Sequence, residues 1–557
     1  MSWNFGDILE GVEDSLPGDA PALIHFGTEP GGAGSGIDSP AAGQRISWSE
    51  LARRSNNLAA SLVARGAAPG DKLGIYMRNC PAYGVSIVAC FKARLIPVNV
   101  NFRYLDEELL YILDNSDAGF VVFAAEFAER IDGIRGRSPG VRHWIQAGGR
   151  PGPGVEDFAA LSVEGKGEAL DVERSGDDML FVYTGGTTGR PKAVMWRHEA
   201  LWEALGGGRT IEANAGNAPE SVSEHLANVA AYGPGSRQIP ACPLMHGTGL
   251  FTAMGNLAGG GCLVTLSSPG FDAGELFAAV EAEQVDSLVI VGDAFARPML
   301  SFLDANPDLH DISSLRLIVS SGVMWSRETK QGLLRHNPEM LLADLFGSSE
   351  AIGFGRSLTS SRGESRTARF RIGERCKVFS EDHREVVPGS GERGFIARAG
   401  PIPDGYYKDP EKTAQTFPVI GGVRYSIPGD WCTVAEDGHL TLLGRGSACI
   451  NTAGEKVHPE EVEEELKRHP EVQDALVVGV ADARWGEAVM AVVELLPHTS
   501  FDEQVLRDHV RERLAHYKCP KRIVPVATMF RAPNGKADYA AAARHVGEFG
   551  QGQGSGD

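Results

Sequence analysis

The eight cysteines (Cys80, Cys90, Cys242, Cys262, Cys376, Cys432, Cys449 and Cys519) form no C-x-x-C pair and lie scattered through 557 residues. That spacing offers neither a disulfide framework nor a local zinc ligand set, and it suits a reduced, cytosolic enzyme. No apolar run approaches the roughly 20 residues that a bilayer-spanning helix needs. The opening Met1-Ser2-Trp3-Asn4-Phe5-Gly6-Asp7 has neither the basic start nor the apolar core of a signal peptide, so a cytoplasmic protein without a leader is expected. Basic residues are in deficit, with 53 Lys and Arg against 73 Asp and Glu and a formal charge of -20. This argues against nucleic acid or an anionic membrane as main partner; a polyanionic small ligand would need a local basic pocket.

At this length one core is not enough, and two or more domains are expected. Residues 29–44 read as a Gly/Ser/Pro/Ala loop. Ser47-Trp48-Ser49-Glu50 opens an apolar-periodic helix through Leu58 and Leu62. Short apolar strands (72–77, 96–100, 119–123) then alternate with helices (82–93, 107–113). The rhythm resumes with strands at 261–266, 287–291 and 315–320, implying a largely parallel α/β sheet. From Gly389 the pattern becomes antiparallel, with an Asp437-Gly438 turn signal between strands. Beyond Gly444-Arg445-Gly446-Ser447 lies a compact α+β unit. Its first helix follows Pro459, and its second is expected from Ser500, with Glu503 completing a capping box. The fold class expected is α/β: a large N-terminal domain (1–444) of parallel and mixed sheets with helices plus a β-rich subdomain, a hinge at 445–447, and a small mobile α+β domain (448–546). The Gly/Gln/Ser-rich 547–557 reads as a disordered tail.

The richest stretch is Tyr183-Thr184-Gly185-Gly186-Thr187-Thr188-Gly189-Arg190-Pro191-Lys192. A buried strand at 179–183 runs into glycines that let backbone amides approach an anion, hydroxyls that donate, and a lysine that adds charge. This is a phosphate cradle in composition. It is not a Walker A loop, because the glycine, lysine and hydroxyl spacing fails.

Four further clusters bear on a nucleotide site. Asp344-Leu345-Phe346-Gly347-Ser348-Ser349-Glu350 offers a ring for a base, a hydroxyl, and a carboxylate able to hold Mg²⁺. Pro428-Gly429-Asp430-Trp431 places a carboxylate in a turn, where it suits ribose hydroxyls or merely its own backbone. Gly444-Arg445-Gly446-Ser447, followed by Gly454-Glu455-Lys456-Val457, puts an arginine beside flexible glycines at the domain boundary. Arg531-Ala532-Pro533-Asn534-Gly535-Lys536 displays a lysine on a turn near the C-terminus.

Taken together and in this order, these strings resemble the signature motifs of the adenylate-forming superfamily, over nearly the whole chain. Pro243-Leu244-Met245-His246-Gly247-Thr248-Gly249, and Gly405-Tyr406-Tyr407 with Pro410-Glu411-Lys412-Thr413, match two further motifs. The resemblance implies an ATP-dependent acid–thiol ligase that forms an acyl-adenylate and then a coenzyme A thioester, using ATP, Mg²⁺ and coenzyme A. By resemblance Thr184, Gly185, Gly186, Thr187, Thr188, Gly189 and Lys192 hold the outer phosphates. Ser321, Gly322 and Val323 contact adenine, with Phe346 stacking, Gly347 beside it and Asp344 at the base edge. Ser349 contacts phosphate, Glu350 holds Mg²⁺, Asp430 binds ribose with Arg445 nearby, and Lys536 bridges carboxylate and phosphate during adenylation. His246 is placed with Thr184, Glu350 and Lys536 among the catalytic candidates. Rotation about Ser447 then withdraws Lys536 and presents Gly454, Glu455 and Lys456 to coenzyme A. Serine at 447 departs from the usual Asp or Lys, and Ser349 from the usual threonine, though its hydroxyl is kept. The basic run Arg511, Arg513, Lys518, Lys521 and Arg522 is a candidate for coenzyme A phosphates or a solvated helix face.

The strings at 98–104, 194–198, 292–298 and 444–447 more narrowly resemble bacterial acyl-CoA synthetases that activate steroid side-chain carboxylates. Gly247, Gly249, Gly255, Gly259, Gly260 and Gly261 either leave room for a bulky hydrophobic acyl group or permit tight helix packing. The competing reading is an acyl-AMP ligase loading a carrier-protein phosphopantetheine. The expected partners are the acid, ATP and coenzyme A, without nucleic acid, and a homodimer is left open.

Overall fold

A computed structural model describes residues 3–27, 43–185, 190–209, 216–322, 325–362, 369–445, 450–457, 459–530 and 538–551. Among these residues the strands form three sheets. The first runs, by position, Gly405–Tyr406, Pro191–Arg197, Met179–Gly185, Ile96–Asn99, Lys72–Tyr76, Ala118–Ala124, His143–Ala147 and Glu156–Asp157. It is parallel from Met179–Gly185 to Glu156–Asp157 and antiparallel at the other end. The alternation of apolar strands with helices dictated the parallel part, since parallel neighbours need a crossover. One such crossover is the helix Pro81–Lys92, between the parallel strands Lys72–Tyr76 and Ile96–Asn99. The helix Trp48–Ala64, which leads into Lys72–Tyr76, has Ser47 as its N-cap, accepting from the Glu50 amide. Glu50 does not return the bond, because Arg53 and Arg54 hold its carboxylate.

The second sheet has a parallel centre of Pro21–Phe26, Cys262–Leu266, Arg237–Pro240, Ser287–Ile290, Leu317–Ser321 and Leu341–Ser348. Antiparallel strands extend it without a break from Ala351–Thr359 onward. The β-rich region is therefore continuous with the parallel sheet and begins well before Gly389. Gly353 and Gly355 interrupt the apolar alternation of Ala351–Thr359 and hide it from periodicity.

The third sheet lies wholly within residues 450–525, as expected for a small C-terminal domain. Gly486–Leu495 pairs with Val472–Asp482, Ile450–Thr452 and Arg522–Pro525. The helices Pro459–Lys467 and Glu503–Arg511 pack Val462, Leu466, Leu506 and Val510 on one face; the helix Tyr539–Gln551 packs Ala542 and Val546 on the other. Two expectations are corrected here. Asp502, not Ser500, caps the second helix by accepting from the Gln504 and Val505 amides, and Glu503 instead accepts from the Ile523 amide. The supposed tail at 547 begins inside a helix that runs to Gln551, because an alanine-rich stretch with two buried anchors outweighs the glycines.

Candidate active site

A cavity of ≈ 1620 Å³ lies where the three sheets meet. Pockets for one small ligand span roughly 300–1,000 Å³, so this space suits more than one. Its floor is one face of the second sheet. Register places Gln238, Ser287 and Leu317 in one row and Ser321 and Leu345 in another, joined by Val319. Residues two apart share a face, which is why alternate positions reach the space.

At the C-terminal ends of these strands, Thr184, Ser321, Gly322, Phe346, Gly347, Ser349 and His246 all line the cavity. The hairpin Met179–Gly185/Pro191–Arg197 brings in Thr184, opposite Lys192. Tyr183 anchors it, donating its amide to Asn99 Oδ1 at 2.8 Å and its hydroxyl to Asn115 Oδ1 at 2.7 Å. Phe346 is buried with its ring 5.3 Å from those of both Phe354 and Phe370. Trp196 Nε1 donates to the Ser349 carbonyl, tying the Phe346 strand to the phosphate-loop hairpin.

Several expected contacts stand behind the wall instead. Lys192 pairs with Asp409 Oδ2. Asp344 is buried and bonded at 2.8 Å to Lys330 Nζ, which is itself fully buried; burial raises its carboxyl despite that ammonium. Neither residue lines the cavity. The placement of Asp344 at the base edge is thereby corrected. As an inward residue in the middle of a strand, it was bound to need an internal partner. Glu350 is buried, its Oε1 accepting from the Tyr406 hydroxyl at 2.9 Å and its carbonyl from Ser426. Asp430 is buried in the register pair Asp430↔Arg445. Gly186, Thr187, Thr188, Gly189, Val323, Ser447 and Lys536 lie outside the described residues, as do the side chain of Arg445 and the surroundings of Gly185.

The C-terminal sheet closes the mouth. Ile450–Thr452 and Glu455–Val457 form a hairpin whose two turn residues, Ala453 and Gly454, both have positive φ (51° and 83°), as a two-residue hairpin turn requires. A Cβ on Gly454 would lie 3.4 Å from Val291, so the turn sits on the end of the second sheet. Gly454, Glu455 and Lys456 line the cavity. Glu455 is 4% exposed and paired with Arg103 and His246, the latter at 3.1 Å. Burial pushes its carboxyl up, but His246, Arg103 and Lys518 override that and hold it at about 2.

A second contact was not foreseen. Lys518 Nζ lies 2.5 Å from Glu108 Oε1 and 2.7 Å from Glu461 Oε1, all three buried or nearly so. Burial opposes its charge, yet the Tyr517 hydroxyl and the carboxylates of Glu461 and Glu108 hold the ammonium well above the ordinary lysine range. The Ala515 amide donates to the other Glu108 oxygen at 3.0 Å, and Asn101 Nδ2 donates to the Tyr517 hydroxyl at 3.2 Å. Asn101, Arg103 and Tyr104 belong to the string at 98–104, singled out above without a structural reason. It is the docking surface for the C-terminal domain. The rest of the basic run is engaged locally: Arg511 with Asp508, Arg513 with Glu465, Arg522 with Glu503, and Lys521 over the Trp485 ring.

The two readings of the glycines divide by residue. A Cβ at Gly249 would lie 2.6 Å from the Pro243 carbonyl and one at Gly261 2.2 Å from Asn256, so these serve packing. Gly255 lines the cavity and a Cβ there would meet nothing within 4 Å, so it leaves room.

Residues 15–407 match the family described as AMP-binding enzyme, and residues 461–536 match the AMP-binding enzyme C-terminal domain. The chain belongs to the AMP-binding enzyme family. It is 41% identical over 550 residues to the medium/long-chain-fatty-acid–CoA/3-oxocholest-4-en-26-oate–CoA ligase of Mycobacterium tuberculosis, covering 97% of this chain and 95% of that one. It is 38% identical to the 3-oxocholest-4-en-26-oate–CoA ligase of Rhodococcus rhodochrous, covering 98% and 96%. The amide bond synthetase McbA of Marinactinospora thermotolerans shares the fold, with a TM-score of 0.77 at 23% identity, covering 97% and 99%. No helix among the described residues is long and apolar enough to cross a membrane.

Proposed function

We infer that the protein is an ATP-dependent acyl-CoA ligase for bulky hydrophobic acids, fatty or steroid side-chain. The observation that carries this is one cavity, sized for more than one ligand, joining a phosphate-loop hairpin, an aromatic wall and the Gly454 turn. A carboxylate is a poor electrophile; transfer of AMP to it makes a good leaving group, and the thiol then displaces AMP. Catalysis of this kind is chiefly positioning and electrostatic stabilisation. Thr184 and the loop through Lys192 hold the outer phosphates. Phe346, Gly347, Ser321, Gly322 and Val323 hold the adenine, and Asp430 with Arg445 the ribose.

Mg²⁺ fits Glu350. The residue offers a hard oxygen, braced by Tyr406 against the hairpin that carries the loop, and a single carboxylate plus substrate phosphates is the usual set for this ion. When bound, the ion neutralises phosphate charge. Lys536 meets the reacting oxygens during adenylation. Ser447 is the hinge between residues 1–444 and 448–546. The arrangement described, with Gly454, Glu455 and Lys456 on the cavity wall, is the one used for thioester formation; His246 and Arg103 position it through Glu455. ATP and coenzyme A as co-substrates fit a cytoplasmic enzyme. The carrier-loading alternative is not favoured by the coenzyme A ligases among the relatives.

The test is purified protein with ATP, Mg²⁺, coenzyme A and a panel of fatty, aryl and steroid acids. Acyl-CoA and AMP are expected, most from the bulky acids; adenylate without acyl-CoA would sink the reading. Lys536→Ala is expected to abolish adenylation while sparing thioester formation from supplied acyl-adenylate, and equal loss of both would remove its assigned role.

A further inference from the structure

The cavity does not end as an apolar sac. Ser287 and Val291 share one strand face across four residues, so the floor runs about 13 Å from the catalytic edge to the N-terminal ends of the strands. There the wall turns polar. Asn228 and His225, one turn apart on the helix Val222–Tyr232, line it together with Gln238 and Ser287. Asn228 Nδ2, Gln238 Oε1 and His225 Nδ1 are buried and have no hydrogen-bond partner among the described residues. His225 Nε2 lies 2.8 Å from the Ala258 carbonyl and donates to it, which leaves Nδ1 as a bare acceptor. Burial lowers the pKa of this imidazole, so it is neutral and keeps that lone pair.

Unpaired buried amides cost about 1–3 kcal/mol each, and most such groups in folded proteins find a partner. A purely aliphatic acyl tail would leave all three unpaired. Nothing in the adenylation or thioester chemistry uses them, since they sit at the opposite end of the strands from Ser321 and Gly454.

Resting on the ligase reading above, we propose that Asn228 and Gln238, with His225, form a subsite that recognises an oxygen atom at the end of the acid remote from its carboxylate. The ligand class is an elongated hydrophobic acid carrying a terminal ketone or hydroxyl. The Asn228 Nδ2 amide can donate to a ketone, and Gln238 Oε1 and His225 Nδ1 can accept from a hydroxyl. The subsite thus sets specificity without touching the reacting atoms.

The experiment compares long acids of one skeleton bearing a terminal methyl, hydroxyl or ketone. Each is measured for kcat/KM of pyrophosphate release and for binding by calorimetry, in wild type and in Asn228→Leu, Gln238→Leu and the double variant. Wild type is expected to favour an oxygenated end by at least about tenfold in both measurements. The leucines are expected to reduce that ratio towards one and to raise kcat/KM for the methyl-ended acid. Octanoate, too short to reach the subsite, reports on folding and chemistry and is expected to be unchanged. A wild-type ratio near one, or a preference that survives in the double variant, overturns the proposal. Absence of turnover on every acid, octanoate included, overturns the ligase reading instead, and the calorimetric ratio then still decides the subsite. Should the double variant lose octanoate turnover, Asn228→Asp, which keeps shape but removes the unpaired donor, is read for the ketone arm in its place.

Discussion

Glu108→Gln isolates the contact that holds the C-terminal domain against the cavity. The substitution keeps shape and one amide oxygen, so acceptance from the Leu105 and Ala515 amides at Oε2 survives. What it removes is the anionic partner of Lys518, replacing Oε1 with a donor that faces an ammonium. Lys518 retains Glu461, so the full 3–5 kcal/mol for orphaning a buried charge does not apply. The loss is that of one hydrogen bond to a charged group, about 1.5–3 kcal/mol. Since about 1.4 kcal/mol is tenfold, the equilibrium between domain orientations shifts about tenfold to a hundredfold away from this one.

Two half-reactions separate the consequences. Pyrophosphate release, read with hydroxylamine trapping of the adenylate, reports the first step. Acyl-CoA formation from supplied acyl-adenylate reports the second. The second is expected to slow by about tenfold or more, while the first is unchanged or faster, because the orientation it needs gains population. Equal slowing of both would mean that Glu108 merely stabilises the N-terminal domain. No change in either would mean that the Lys518 contact does not limit the orientation used for the thioester step.

Tyr406→Phe removes the hydroxyl that donates to Glu350 Oε1; KM for Mg-ATP is expected to rise about tenfold with KM for the acid unchanged, measured by initial rates at varied Mg²⁺. Gly255→Leu fills the open side of the helix Gly247–Ala258, and kcat/KM for steroid and long-chain acids is expected to fall at least tenfold while a short acid is spared. His198 is fully buried, its Nδ1 accepting from the Phe5 amide, and burial lowers its pKa to about 4. The folded state thus binds fewer protons than the unfolded chain between pH 6.5 and 4. Its contribution is complete above 6.5 and is lost as pH falls towards 4, a change of roughly 3 kcal/mol. Tm should drop across that window, and His198→Phe should flatten the drop; an unflattened profile would assign the acid lability elsewhere.

What the sequence made legible and what it hid follow from how each kind of contact is encoded. Strands such as Lys72–Tyr76 and Ser287–Ile290, and the helix start at Ser47, are written in local periodicity and capping, and they stand within a residue or two of where those rules place them. Thr184, Phe346, Ser349 and Gly454 sit in contiguous motifs and line one cavity. Asp344 shows the limit of such reading. Its carboxylate lies in the right stretch, but strand alternation turns it inward, and only the register with its neighbours shows Lys330 waiting. Lys518 looked like one of five surface cations because a basic run on a helix is usually solvated; its partners Glu108 and Glu461 are 410 and 57 residues away, and no local rule connects them. In the string at 98–104, Asn99 serves its own domain by accepting from the Tyr183 amide, whereas Asn101 Nδ2 and the Arg103 guanidinium reach Tyr517 and Glu455, partners no local rule supplies. Tyr406 is legible only as part of a motif, and its hydroxyl's partner, Glu350, lies 56 residues away. Local motifs therefore mark the cavity wall, while the contacts that set the C-terminal sheet against it are long-range ion pairs. Those pairs become visible only when the C-terminal sheet is set against the cavity mouth.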